Sequence, residues 1–304
     1  MKRLILFVII LSLSNSVIAQ TKMIINKNNG TSDSLNLSDI KSITFKISSV
    51  QPFTHDMVSV TGGTFTAGTT PVTISSFKID KYAVTYDLWT NVVNWGLTHG
   101  YTDLTSGQNG YNPVGSNNPV TNVNWYDVVK WCNACSEKDG FSPLYYTDST
   151  QTTIYKTGQI DINITAVKWT ANGYRLPTEC EYEFAARGGN QTKGYTYSGS
   201  NNIDSVAWYF GNSGNSTHPV GQKGANELGI YDMSGNVWGR CWDWYSIYPS
   251  GGTTDPKGPS TKQTNRSIRG GSASNDGSWE RVSARLDNDP NNRNGFVGFR
   301  CVKN

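Results

Sequence analysis

The sequence predicts an α+β domain that is rich in loops and has little regular secondary structure. Its 304 residues include 31 glycines, 10 tryptophans and 16 tyrosines, but only 4 methionines. Glycine permits tight turns, and large aromatic side chains fill a core in which regular elements are sparse. Helical periodicity is confined to the first two thirds of the chain, and short aromatic segments separated by small polar residues follow it. This order of elements favours an α+β class over a helical bundle.

A signal peptide is predicted over residues 1–19. Lys2 and Arg3 precede a mostly apolar run of ten residues, and Ala19 ends a small-residue cleavage site. Because ten residues are too few to cross a bilayer, a membrane anchor is the weaker interpretation. Gln20, rather than a cysteine, follows the cleavage site, which argues against a lipoprotein. We therefore expect a secreted or periplasmic protein without a transmembrane segment after signal cleavage.

The charge balance argues against a polyanionic partner. The chain has 26 basic and 23 acidic side chains, and removal of the signal peptide with its two basic residues leaves a net charge of +1. Such a balanced chain offers no electrostatic footprint for nucleic acid or for an anionic membrane surface. We expect no nucleic-acid partner.

A small β-rich segment is predicted over residues 20–52. Its apolar residues 23–25 precede Asn28-Asn29-Gly30, which is a strong hairpin turn, and alternation over residues 43–47 indicates a further strand. Two or three strands are not stable alone, so this segment must pack against something. Gln51-Pro52 marks the boundary, and the main domain is predicted over residues 56–304.

The main domain is predicted to begin with strands and to continue with three capped helices. Alternation about Gly62-Gly63 and over residues 72–79 indicates the strands. Thr85 and Asn124 are the expected N-caps of the first two helices. Thr178, with a glutamate three residues later, forms a capping box at the start of the third. From there to the C-terminus no helical period persists.

Seven short motifs occur in a fixed order through the main domain. Each motif alone is weak evidence for a protein family, but the occurrence of all seven in this order is specific. The motifs are Gly62-Gly63-Thr64-Phe65, Lys81-Tyr82-Ala83-Val84-Thr85, Asn118-Pro119-Val120, Arg175-Leu176-Pro177-Thr178-Glu179, His218-Pro219-Val220-Gly221, Gly229-Ile230-Tyr231-Asp232-Met233-Ser234-Gly235-Asn236-Val237-Trp238, and Arg269-Gly270-Gly271-Ser272 with Gly298-Phe299-Arg300.

These motifs resemble those of the formylglycine-generating enzyme family, also called sulfatase-modifying factor, over about residues 56–303. The resemblance implies a C-type-lectin-like fold. In the family's oxidases two cysteines shortly after the Arg-Gly-Gly-Ser motif bind copper and activate oxygen, because soft sulfur ligands select Cu(I). Here Asn275 stands at the first of those positions, and no cysteine lies between Ser272 and Cys301. We therefore expect no formylglycine-generating activity.

The comparison with this family also raises the possibility of a non-haem iron centre. Some relatives of this fold hold non-haem iron through histidines of a separate helical domain, which is absent here, and His55, His99 and His218 have no paired ligand spacing. His218 is interpreted as a loop or packing residue.

The resemblance also implies a structural calcium site, with a side-chain oxygen of Asp232 and the carbonyls of Gly235 and Val237. The family's carboxylate two residues further on is replaced by Gly239, and Arg240 adds a positive charge. Since calcium requires six to eight oxygens with carboxylates among them, we expect a weakened site. Asp232 bonding only its own turn is the alternative, and calcium remains the one cofactor left open.

Five cysteines are present, at positions 132, 135, 180, 241 and 301. Cys132 and Cys135 form a CxxC on a helical pattern, without a second CxxC or a histidine nearby in the sequence, so core packing or a disulfide is favoured over a metal or redox site. By resemblance to the family, Cys132 and Cys301 form a disulfide. A pairing of Cys180 with Cys241, which would leave Cys135 as a free thiol, stays open.

The leading functional hypothesis is an exported, non-catalytic module that binds a protein, peptide or glycan in the cell envelope. An aromatic anchor among hydrogen-bonding groups makes a good contact surface, although Trp279 as an ordinary core residue is an alternative. The hypothesised ligand-binding residues are Trp238, Ser272, Asn275, Asp276, Trp279, Glu280 and Arg281.

Three other functions are weighed against it. One is a metal-dependent oxidoreductase, formylglycine-generating-like or non-haem iron, of unknown substrate. A second is a structural component docked through residues 23–47. The third follows from a resemblance to retroelement-diversified receptors, which use a similar C-terminal frame. The asparagines that such mutagenesis would favour are Asn275, Asn288, Asn291, Asn292 and Asn294.

Overall fold

The computed structural model describes residues 22–26, 32–36, 55–113, 115, 117–248 and 252–304. The chain divides into two compact units, Met1–Gln51 and Pro52–Asn304. In the first unit, strands β1 (Lys22–Asn26) and β2 (Ser32–Asn36) pair antiparallel. The predicted signal peptide, the turn at residues 28–30 and the strand at residues 43–47 lie outside the described residues.

Within the described residues, the strands of the larger unit form four small sheets. The alternating segments predicted near its start become strands within residues 57–80, and the last of these strands pairs with the strand at the C-terminus. The sheets, in strand order, are β3 (Met57–Val60), β6 (Phe77–Asp80) and β14 (Val302–Lys303); β4 (Gly63–Ala67), β5 (Thr70–Ile74) and β10 (Thr253–Thr254); β7 (Gln108–Asn109) and β8 (Val120–Thr121); and β12 (Arg285–Asn288), β11 (Arg266–Arg269), β9 (Trp238–Trp244) and β13 (Val297–Gly298).

The three predicted helices are confirmed, together with their caps. Thr85 caps α1 (Tyr86–Gly96), and Asn124 forms a capping box at α2 (Trp125–Lys138). Thr178 and Glu181 form the predicted capping box at α3 (Glu179–Ala186). Two one-turn helices, α4 (Ile203–Val206) and α5 (Phe210–Ser213), have no counterpart in the sequence prediction, because one turn is too short to show a period.

Aromatic side chains fill the core between the helices and the C-terminal segment. Trp89 of α1 and Trp131 of α2 stack with their ring centroids 5.5 Å apart, and Phe299 packs edge-on against both. All three side chains are buried. This mixture of short sheets, few helices and an aromatic core confirms the predicted α+β class. Within the described residues, no helix has both the length and the hydropathy needed to span a bilayer.

Candidate functional site

The Arg-Gly-Gly-Ser motif forms a fixed turn at the end of β11. Arg269 is fully buried and forms ion pairs with Glu179 and Glu183 of α3, so it anchors the strand end in the core. Gly270 and Gly271 have φ angles of 96° and 73°, a region that other residues rarely adopt. A Cβ atom on Gly271 would lie only 2.6 Å from the Glu280 carboxylate. The next residue, Ser272, is therefore held in one place.

Hydrogen bonds to Ser272 bring several of the predicted residues together. The Ser272 hydroxyl donates to Asn275 Oδ1 at 2.6 Å, and the Trp238 indole N–H donates to the same oxygen at 2.8 Å. The Ser272 amide donates to Glu280 Oε1 at 3.2 Å. We call this group, Trp238, Ser272, Asn275 and Glu280, the Ser272 site.

Glu280 is the most perturbed group of the site. Its side chain is fully buried, and its Oε2 atom has no hydrogen-bond partner within the described residues. Burial raises its pKa to about 8, against the smaller opposite effect of hydrogen bonds that include the Ser272 amide. At neutral pH it is therefore mostly a neutral acid, which can donate a hydrogen bond from the oxygen that lacks a partner.

The rim of the Ser272 site is aromatic and partly charged. Trp279 is half-buried, and its ring lies 5.9 Å from the Trp238 ring at an angle of 65°, so it is neither fully in the core nor free. Asp276 and Arg281 are exposed, and hydrogen bonds from the Ser278 hydroxyl and amide lower the pKa of Asp276. Phe210, which is 63% exposed, donates its amide to the Asn275 carbonyl.

The sequence prediction did not include Phe210, which lies 65 residues before Asn275 in the chain. It belongs to the one-turn helix α5, and an isolated phenylalanine there carries no pattern that links it to the C-terminal segment. The structural signal is its 63% exposure together with the bond from its amide to the Asn275 carbonyl, since a single exposed aromatic side chain is common on protein surfaces.

The Ser272 site does not fit the copper centre of the family's oxidases. Its donor atoms are the hydroxyl of Ser272, the amide of Asn275 and the carboxyl of Glu280. These are hard or neutral donors, whereas Cu(I) selects soft thiolate or thioether ligands. No step of the chemistry can be assigned to copper here.

The calcium residues do not fit a calcium ion either. Asp232 is buried, burial raises its pKa, and its Oδ2 atom accepts the Gly221 amide at 2.8 Å. The position of the missing carboxylate, Gly239, has no side chain. The guanidinium of Arg240 donates to the carbonyls of Val123 and Asn292. With one carboxylate already engaged by a main-chain amide, the site lacks the charge that calcium requires.

The histidines are mostly packing residues. His218 stacks on Trp208 with ring centroids 3.7 Å apart, and His99 stacks on Trp95 at 3.8 Å. Although no histidine is near the CxxC in the sequence, the fold places His55 Nε2 3.3 Å from Cys135 Sγ. These two residues are 80 positions apart, so their proximity could not be detected from spacing.

All five cysteines are buried thiols in the structure. The Sγ atoms of Cys132 and Cys301 lie 3.8 Å apart, on α2 and beside β14. The disulfide between them, and the pairing of Cys180 with Cys241, stay predictions.

Comparison with known proteins finds one matching family and several relatives. Residues 44–304 match the family model described as a sulfatase-modifying factor enzyme 1-like domain. The chaperone protein LppX of Paenibacillus barcinonensis is 42% identical over 219 residues, which span 63% of this chain and 72% of that protein. The formylglycine-generating enzyme of Streptomyces coelicolor is 37% identical over 148 residues, 43% of this chain and 46% of that enzyme.

Solved structures with the same fold cover most of the chain. The crystal structure of CarF superposes with a TM-score of 0.69 and 29% identity, over 83% of this chain and 98% of CarF. Treponema denticola variable protein 1 gives a TM-score of 0.66 at 28% identity, over 81% of this chain and 94% of that protein.

Proposed function

Because the chain belongs to the sulfatase-modifying factor family, whose model covers residues 44–304, we propose that it is an exported, non-catalytic module that binds polypeptide in the cell envelope. In this proposal residues 1–19 are removed on export. Residues 20–52 form a small β-rich segment, and residues 56–304 carry the binding site.

The composition of the Ser272 site is the observation that carries the proposal. Its hydrogen-bonding groups lie beside the exposed Phe210 and the half-buried Trp279 of the rim, and the segment from Ser272 to Arg300 contains no thiol. The Ser272 hydroxyl donates to an amide oxygen of Asn275, which cannot act as a general base. Ser272 is therefore not activated as a nucleophile, and the site is better suited to contact than to reaction.

Polypeptide is the occupant that we favour among protein, peptide and glycan ligands. Asn275 Oδ1 accepts from both Ser272 and Trp238. Its Nδ2 group has no partner within the described residues, so it can donate to a backbone carbonyl. Trp279 and Phe210 offer apolar contact for side chains. The relative named chaperone protein LppX, 42% identical, supports a protein as the ligand.

A holding assay with an unfolded protein tests this proposal. Citrate synthase diluted from guanidinium chloride aggregates, and light scattering follows the aggregation. We expect the full chain to suppress scattering near equimolar ratio, and Trp279→Ala to raise the concentration needed by about tenfold, because a truncated aromatic anchor costs about 1.4 kcal/mol or more.

Leu97→Ala is the matched control, since Leu97 is 49% exposed and lies outside the Ser272 site. Its suppression should equal that of the wild type. Phe210→Ala should weaken suppression with the folded domain intact, as checked by circular dichroism. If the wild type leaves scattering unchanged, or if the Trp279 and Leu97 variants behave alike, the proposed binding site is wrong.

The alternative is a metal-dependent oxidoreductase, and a second assay separates it from the binding function. We expect the chain, supplied with Cu(I) and oxygen, to leave the cysteine of a sulfatase-derived peptide unoxidised, because the Ser272 site has no thiolate. Mass spectrometry of the peptide detects the aldehyde. Formation of the aldehyde by the wild type would establish catalysis and contradict the proposal that the module is non-catalytic.

A further inference from the structure

A buried cluster of one imidazole, one carboxylate and several thiols shares no residue with the Ser272 site. His55 Nδ1 is 2.6 Å from Asp80 Oδ1, and Asp80 Oδ2 accepts the Cys301 amide at 2.7 Å. One ligand atom from each of His55, Asp80 and Cys301 lies within 4.8 Å of the other two. Cys132 Sγ is 3.8 Å from Cys301 Sγ, and Cys135 Sγ is 3.3 Å from His55 Nε2.

These donor atoms are the set that a zinc-class cation takes. Zn²⁺ binds imidazole nitrogen, carboxylate oxygen and thiolate sulfur at about 2.0–2.3 Å, so that tetrahedral ligands stand roughly 3–4 Å apart. The separations of up to 4.8 Å between His55, Asp80 and Cys301 therefore require only small side-chain movements. The mixture of nitrogen, oxygen and sulfur disfavours calcium and magnesium, which take oxygen alone.

Two of the three residues also border a cavity. His55 and Asp80 line a cavity of about 250 Å³, together with Tyr82, Thr85 and Leu88. The side chains of His55 and Asp80 are only 1% and 6% exposed, so an ion held between them would be shielded from solvent. The cavity leaves room for a water molecule as a fourth ligand, which is the arrangement of an open zinc site.

The charges around the cluster are compatible with a cation. The nearby Arg300 guanidinium donates to the main-chain carbonyls of Asp80 and Tyr231. Its charge is thus bonded to the backbone, and the Asp80 carboxylate is left to His55 and the Cys301 amide.

We propose that His55, Asp80 and Cys301 form a binding site for a thiophilic divalent cation of the zinc class, which is open only while Cys301 is a thiol. The predicted disulfide between Cys132 and Cys301 would consume that ligand. Metal and disulfide therefore exclude each other, and the redox state of this one pair decides which is present. The site is independent of the binding function proposed above.

Cobalt titration of the metal-free, reduced full chain tests the site. We expect one Co²⁺ per chain with a thiolate-to-cobalt charge-transfer band in the near ultraviolet, and displacement by one equivalent of Zn²⁺. Cys301→Ser should abolish the band. His55→Ala and Asp80→Asn should each weaken Co²⁺ binding by at least about tenfold, because even the loss of a residue that only supports a ligand costs that much.

Cys180→Ser and His99→Ala serve as matched controls, since they remove a buried thiol and an imidazole outside the cluster. Both should keep the stoichiometry and the band. Treatment with oxidised glutathione, which takes up the two electrons and two protons as the Cys132–Cys301 disulfide forms, should abolish binding. The proposal is overturned if the reduced wild type takes up no stoichiometric metal, or if the band survives in Cys301→Ser. It is likewise overturned if His55→Ala binds as tightly as the wild type.

Discussion

Replacement of Arg269 by methionine is expected to lower the free energy of unfolding by about 3–5 kcal/mol, the usual effect of removing one partner of a buried ion pair. Arg269 is fully buried, with its Nε atom 3.0 Å from Glu179 and an Nη atom bonded to Glu183. Methionine preserves much of the side-chain volume, so the loss comes mainly from two carboxylates left in the core. Equilibrium urea unfolding measures it.

The two glutamates keep some compensation in the Arg269 variant. Glu179 remains bonded to Arg285 and Glu183 to Arg187. Burial by itself would raise the pKa of Glu183. Several neighbouring groups lower this pKa to below its ordinary value, and the charge of Arg269 has the largest effect among them. We therefore expect the pKa of Glu183 to rise in the variant.

Arg281→Met is the control for Arg269→Met, because Arg281 is exposed at the rim of the Ser272 site. It should change the free energy of unfolding by no more than about 0.5 kcal/mol. If both variants unfold at the same urea concentration, the buried network does not stabilise the turn that presents Ser272.

The three helices and the early strands could be predicted because their signals are local. A cap residue such as Thr178 bonds the backbone three positions away, so its effect is visible within one turn of sequence. Likewise, alternation over residues 72–79 is preserved in β5 and β6. Pairings between distant segments, such as β6 with β14 at the C-terminus, carry no such local signal.

The candidate site was predictable to the extent that it is contiguous. Ser272, Asn275 and Glu280 lie within nine positions of one another, so a single turn brings them together. His55 and Cys301 are separated by almost the whole main domain. His55 precedes β3 and Cys301 precedes β14, and the pairing of both strands with β6 brings the two residues together. A cluster assembled by non-local strand pairing could not be found from spacing.

A decrease in stability with rising pH is the second large effect that we expect. Burial raises the pKa of Glu280 to about 8, and burial together with the charge of Glu179 raises the pKa of Asp243 to about 8. In the unfolded chain such groups titrate near pH 4. Between those values the folded state retains protons that the unfolded state has lost. Each group therefore lowers the free energy of unfolding by up to about 1.4 kcal/mol per pH unit as the pH rises.

Below that range the sign reverses, because Glu183 and Asp161 have lowered pKa values and lose their favourable ion pairs when they are protonated. Stability should therefore be greatest near pH 5. There Glu183 and Asp161 are charged, whereas the buried carboxyl groups of Glu280 and Asp243 are neutral. Urea unfolding at pH 5, 6, 7 and 8 measures the slope. A free energy of unfolding that is constant or rises over this range would contradict the assignment.

Glu280→Gln separates the contribution of Glu280 from that of Asp243. The amide keeps an oxygen for the Ser272 N–H but cannot ionise, so the pH slope between 5 and 8 should fall to about half and stability at pH 8 should rise. Asp276→Asn changes an exposed carboxylate four residues away and should leave the slope unchanged. Since the Ser272 site contains Glu280, ligand affinity should also fall above pH 8 in the wild type but not in Glu280→Gln. This difference would show that the buried neutral acid supports the contact surface from beneath it.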